Sequence, residues 1–93
     1  MYIRIGKVCE KRGRGSSSLY EDIAHGLLPP PIKRGRASLW IEDEIDAVLA
    51  AEAAGATDDE IRELVQEFTA ARQNRARDVR AAALRVAPQH HAA

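Results

Sequence analysis

The residues of this 93-residue chain whose types and spacing could do chemistry are cations and hydroxyls, and the chemistry is recognition of a polyanion. Lys33, Arg34 and Arg36 surround Gly35, a clustering of cations at a turn that suits phosphates or a narrow groove. Arg14, Ser16, Ser17, Ser18, Tyr20 and Glu21 form a second group just after Gly13, with hydroxyls and one carboxylate that can meet phosphate oxygens and base edges. The partner both groups suit is double-stranded DNA. Lys7, Lys11 and Arg12, with Arg14, are placed to meet phosphates at the mouth of the turn, positioning the chain rather than reading sequence. Covalent catalysis finds no support. Cys9 has no neighbouring base or metal shell and reads as a small apolar residue. Glu42, Asp43, Glu44 and Asp46 would need a cleft that so short a chain hardly provides, and the adjacent His90 and His91 cannot complete a metal shell. No enzyme activity, cofactor or metal is expected.

The elements that must position these groups follow from local signals. Gly13 and Gly15 permit a tight turn, the serines offer N-cap hydroxyls to a short helix, and Gly26 can end it. Leu19 and Ile23 lie four apart on one face of that helix. Glu21 and Asp22 add negative charge to a DNA-facing element. Two accounts of Glu21 are open: it accepts from a cytosine amine, or it closes a capping box with Ser18. Tyr20 is likewise open between a phosphate contact and a core position with its hydroxyl at the rim, and His25 suits the helix C-terminal dipole. Pro29, Pro30 and Pro31 force an extended path, after which residues 32–40 can pair as a hairpin around Gly35, anchored at its base by Trp40.

The ordered set Ile5, Val8, Cys9, Gly13, Ser17, Ser18, Leu19, Tyr20, Ile23, Gly26, Pro29, Pro31, Ile32, Lys33, Gly35, Arg36, Ala37, Trp40, Glu44 and Ile45 resembles the AlpA family of small phage-type transcriptional regulators and excisionases. The resemblance covers residues 3–51 and implies a fold similar to the winged-helix domains of the MerR class. It implies site-specific DNA binding at promoters or attachment sites, and for an excisionase, or recombination directionality factor, an integrase as partner. The chain departs from the family pattern at Ser16 and Glu21, where a basic residue is usual, and by one residue fewer between Gly35 and Trp40. A protein-interaction module on the same scaffold, motivated by Glu21, Asp22, the acidic middle of the chain and the missing basic residue at Ser16, is the reading from another class.

Charge is sorted along the chain although it sums to zero. Residues 1–40 hold eight Lys or Arg against three Asp or Glu, residues 41–71 one against ten, and residues 72–93 five against one. The acidic middle is read as solvated helix faces, and the basic start as a nucleic-acid surface. Tyr2 to Ile5 is expected to be extended and residues 6–12 helical, with Val8 facing the core. Ile41, Ile45, Val48 and Leu49 predict a helix over 41–54, stopped at Gly55. Thr57 and Glu60 have capping-box spacing before a stripe of Ile61, Leu64, Val65 and Phe68, which either folds back on the core or forms a homodimer. The helix is expected to continue to Ala87 and stop at Pro88, its arginines lying either on a surface helix or on phosphate.

The expected architecture is mainly α: a winged helix-turn-helix with a small two-stranded β wing over residues 1–55, an extra C-terminal helix over 56–87 and a tail over 88–93. One cysteine cannot form an internal disulfide and no apolar run is long enough for a leader or a membrane span, so a cytoplasmic protein is expected.

Overall fold

The computed structural model describes residues 1–91, with side chains to residue 85. It is mainly helical with one small antiparallel sheet. In chain order the elements are β1 (Tyr2–Ile3), α1 (Ile5–Arg12), α2 (Ser16–Ala24), β2 (Ile32–Arg34), β3 (Ala37–Ile41), α3 (Glu42–Ala53) and α4 (Asp58–His91).

The sheet has three strands in the order β1-β3-β2. Two are expected from the sequence, those of the wing. The residues expected only to be extended at the start of the chain pair Tyr2 with Ile41 and Ile3 with Trp40, and the Glu42 amide donates to the Met1 carbonyl at 2.8 Å. In β2 and β3, Ile32 pairs with Leu39, Lys33 with Ser38 and Arg34 with Ala37, leaving Gly35 and Arg36 as a two-residue turn. Gly35 has φ +59 while no non-glycine residue among the described residues has positive φ, which is the arrangement of a type II′ hairpin turn and the reason a glycine stands first in it.

Alternation along the strands sends Ile3 and Trp40 into the core, where they meet Val8 from α1, Leu19 from α2, Leu28, Ile45 and Val48 from α3, and Ile61 and Val65 from α4. Trp40 is fully buried, and its indole N–H donates to the Pro29 carbonyl at 3.1 Å. The Pro30 carbonyl accepts from Arg72 Nη1 at 2.9 Å. Prolines bring no amide donor, so the carbonyls of the hinge are the groups that need partners, and these two have them.

α3 begins one residue later than expected, because Ile41 ends β3 in an extended conformation and serves as the N-cap. α4 starts as its sequence indicates: the Glu60 amide donates to Thr57 Oγ1 at 3.2 Å and the Thr57 amide to Glu60 Oε1 at 3.0 Å. Of the two readings of the α4 stripe, folding back is the one observed. Ile61 and Val65 are buried in the chain's own core, with Leu64 and Phe68 packed against it, so Ile61 and Val65 have no area left for a second molecule. Beyond Arg72 the helix leaves the core and residues 73–85 are all exposed. It continues past Pro88 to His91 rather than stopping at Ala87; a proline removes one intrahelical hydrogen bond and crowds one carbonyl, without ending the turns on either side. The side chains of His90 and His91, and all of residues 92–93 of the expected tail, lie outside the described residues.

Candidate nucleic-acid interface

α1 and α2 are joined by a tight turn. Gly13 closes α1 in the left-handed conformation, φ +68, with its amide donating to the Cys9 and Glu10 carbonyls. The next helix opens differently from expectation. Gly15 is its N-cap, extended at φ −77 and ψ 174, and no side chain caps it. Ser16, Ser17 and Ser18 are therefore its first three residues rather than caps, and Ser18 with Glu21 makes no capping box. The physical reason is positional: a capping residue must still be extended, and the chain has already turned helical at Ser16. The first intrahelical bond is donated by Leu19, to Gly15, so the serine amides ahead of it project from the helix start.

Leu19 fixes the inner face of α2. The outer face follows helical spacing, with Ser16, Ser17, Tyr20, Glu21 and Ala24 all exposed and Ser18 half-buried. Tyr20 retains 47% exposure and lies outside the core cluster, so of its two readings the core position is not the one found. Behind the helix, Asp22 is held by Arg12 and by Arg14, the latter at 3.3 Å. Its charge is thus neutralised within the chain and does not lie on the outer face. Arg62 Nε from α4 donates to the His25 carbonyl at 2.9 Å, tying down the other end of α2.

The basic residues of the N-terminal half divide into those used internally and those left free. Lys11 sits 2.8 Å from Asp46 and 3.0 Å from Glu42, and both hydrogen bonds, the Asp46 one foremost, raise its pKa. Arg12 is 3% exposed, and its Nε and Nη1 have no hydrogen-bond partner among the described residues. Lys11 and Arg12 are therefore unavailable to the phosphates that sequence analysis assigns them. Lys7 lies 3.9 Å from Glu10 in a solvent-exposed pair, and Arg14, though paired with Asp22, keeps its outer surface. Arg4, Arg34 and Arg36 have no carboxylate partner among the described residues, and Lys33 Nζ donates only to Ser38 Oγ, at 2.6 Å.

The hairpin spreads its cations. Lys33 points to the Ser38 face of the sheet, Arg34 to the opposite face, and Arg36 sits in the turn. Along the sequence the three form one tip and Arg4 stands apart from them, whereas the pairing of β1 brings Arg4 beside the same sheet. The signal for Arg4 was the Ile3 and Ile5 alternation around it. Comparison with family models, with curated proteins and with solved structures returned no match.

Proposed function

We propose that the chain is a sequence-specific DNA-binding transcriptional regulator of the phage or mobile-element type, folded as a winged helix-turn-helix. In this reading α2 enters the major groove and the β2–β3 hairpin is the wing, touching the neighbouring backbone or minor groove. The observation that carries it is the pairing pattern of the basic residues: Arg34 and Arg36 stand exposed on a hairpin with no carboxylate partner among the described residues, while Asp22 of α2 is neutralised from behind by Arg12 and Arg14. Each residue then has a role. Arg34 and Arg36 contact phosphates, as do Lys33 and Arg14, which keep exposed surface despite their internal partners. The uncapped amides at Ser16 and Ser17 suit a phosphate at the helix N-terminus. Tyr20 and Glu21, with the serine hydroxyls, face outward where base edges would lie.

Glu21 is exposed and without a cationic partner among the described residues, and this favours the second reading, a protein-interaction module on the same scaffold. Fluorescence anisotropy with labelled duplexes from around the protein's own gene, at several salt concentrations and against an unrelated duplex, separates the two. The regulator prefers one duplex, and replacing Arg34 and Arg36 with Glu abolishes that binding. Loss of two phosphate contacts alone lowers the slope of log affinity against log salt by about 1.8. Undiminished affinity in the double variant overturns the wing assignment, and no binding at low salt overturns the regulator.

A further inference from the structure

The outward face of the sheet carries a groove of about 450 Å³ lined by Tyr2, Arg4, Ile32, Arg34, Ala37 and Leu39. Its composition follows from register. Tyr2 of β1, Ile32 and Arg34 of β2, and Ala37 and Leu39 of β3 occupy the alternate positions that face away from Trp40 and the core. Ile32, Ala37 and Leu39 are half-buried and make an apolar floor, while Tyr2 stands 61% exposed beside it. Arg4 and Arg34, both exposed, complete the lining. No carboxylate among the described residues pairs with either arginine, although this chain supplies acids to Lys7, Lys11, Arg12, Arg14, Arg62 and Arg72.

We propose that this groove docks an acidic segment of a partner protein, seating one apolar side chain on the Ile32 and Leu39 floor and presenting carboxylates to Arg4 and Arg34. The two halves of the lining ask for both features at once. Covering the floor requires an apolar group, because aliphatic surface gains from leaving water. The two guanidiniums require anions, and their planar forks match carboxylates. A duplex backbone satisfies the arginines but offers the floor nothing apolar. A second copy of this chain has its acidic faces on α3 and the start of α4, where Ile45, Val48, Ile61 and Val65 turn inward; the exposed apolar side chains further along α4, Val79 and Leu84, stand among Arg75, Arg77, Arg80 and Arg85 with Asp78 as the one acid, so they would bring cations to Arg4 and Arg34. A partner segment that interleaves acidic and apolar residues meets both demands. This inference stands whether or not the chain binds DNA, and it gives Arg34 a second role on the face of the hairpin away from Ser38.

The test is a titration of the isotope-labelled full chain, followed by amide correlation spectra, with the acetylated and amidated peptide Glu-Glu-Leu-Glu-Glu. Comparison peptides replace the leucine with serine or all glutamates with lysine, and a short DNA duplex is titrated separately. The expected result is saturable shifts confined to Tyr2, Arg4, Ile32, Arg34 and Leu39 with the leucine peptide, weaker binding of the serine peptide and none of the lysine peptide. Arg4→Glu, at an exposed position, weakens the leucine peptide by about tenfold, the equivalent of losing one well-placed ion pair and gaining a repulsion. Retained dispersion of the variant's spectrum shows that it is folded. Equal binding of the leucine and serine peptides, shifts at other surfaces, no groove shifts, or duplex-induced shifts at Tyr2, Arg4 and Leu39, beyond the Arg34 contact that the DNA reading already expects, overturns the proposal.

Discussion

Replacing Arg72 with Met tests how firmly α4 is built into the body that carries the hairpin. Arg72 Nε donates to Glu44 Oε2 at 3.1 Å, its Nη2 to Glu44 Oε1, and its Nη1 to the Pro30 carbonyl at 2.9 Å. The two side chains are 16% and 7% exposed, so the pair is largely withdrawn from water. Removing the cation strands a buried carboxylate, which costs about 3 kcal/mol at the lower end of the range for such pairs, the end appropriate to an arginine that keeps some solvent contact. The orphaned Pro30 carbonyl adds about 1 kcal/mol. Against a total stability of about 5–14 kcal/mol for a chain of this length, the variant loses a large share of its fold. Glu44→Leu combined with Arg72→Met removes both charges, and should recover all but about 1 kcal/mol of the loss, because only the proline carbonyl is then unpaired. Equilibrium urea unfolding followed by the fluorescence of the one tryptophan, buried Trp40, reads the whole cycle. Arg75→Met, at an exposed position further along α4, is the control and changes stability by no more than about 0.5 kcal/mol. If Arg72→Met is as harmless as Arg75→Met, or if the double variant is no more stable than the single one, the clamp does not hold the helix as described.

Thr57→Ala removes the hydroxyl that accepts the Glu60 amide and should cost about 1 kcal/mol in the same urea assay. The reciprocal half of that capping box is read by pH: the Thr57 backbone amide holds the Glu60 carboxyl below its ordinary range, so its stabilisation is full above that range and is lost as pH falls through the lowered value. Thermal melts of wild type and Glu60→Gln should accordingly converge in acid and separate toward neutral pH. Within the DNA reading, Tyr20→Phe and Glu21→Gln alter the preference among duplexes while leaving the salt slope nearly unchanged, since neither removes a cation. An anisotropy series in which either substitution flattens the slope as much as loss of a wing arginine contradicts that division.

What could be read from the sequence is what local chemistry decides. Gly35 between cations, a tryptophan at the base of the hairpin and Thr57 three residues before Glu60 each specify an arrangement within a few residues, and each is found. The serine run misled because three adjacent capping residues do not say which of them, or whether the preceding glycine, is the last extended residue. The start of the chain reads only as an extended lead-in, because Ile3 and Ile5 at strand spacing name no partner; Tyr2 and Ile3 become a third strand by pairing with Ile41 and Trp40 far along the chain. Ion-pair partners were illegible for the same reason. Lys11 finds Asp46, and Arg72 finds Glu44, across gaps that no spacing rule spans, and only folding shows which cations are consumed.

That consumption changes what a basic N-terminal half means. Counted along the chain, its cations are spread over the turn and the hairpin alike, and the turn looks as well supplied as the wing. Folded, the turn has given Arg12 to a buried contact with Asp22 and shares Arg14 with the same carboxylate, and Lys11 has gone to α3. The cations without a carboxylate partner among the described residues of this half, Arg4, Lys33, Arg34 and Arg36, all lie on the sheet or just beside it. An anion approaching this half is therefore attracted mainly to the hairpin, whatever the anion is. α2 offers it exposed hydroxyls, free amides and one carboxylate, which can discriminate among ligands but cannot supply much attraction. Within the DNA reading, attraction and discrimination thus fall to different elements, joined by a proline hinge whose carbonyls accept from Trp40 and Arg72.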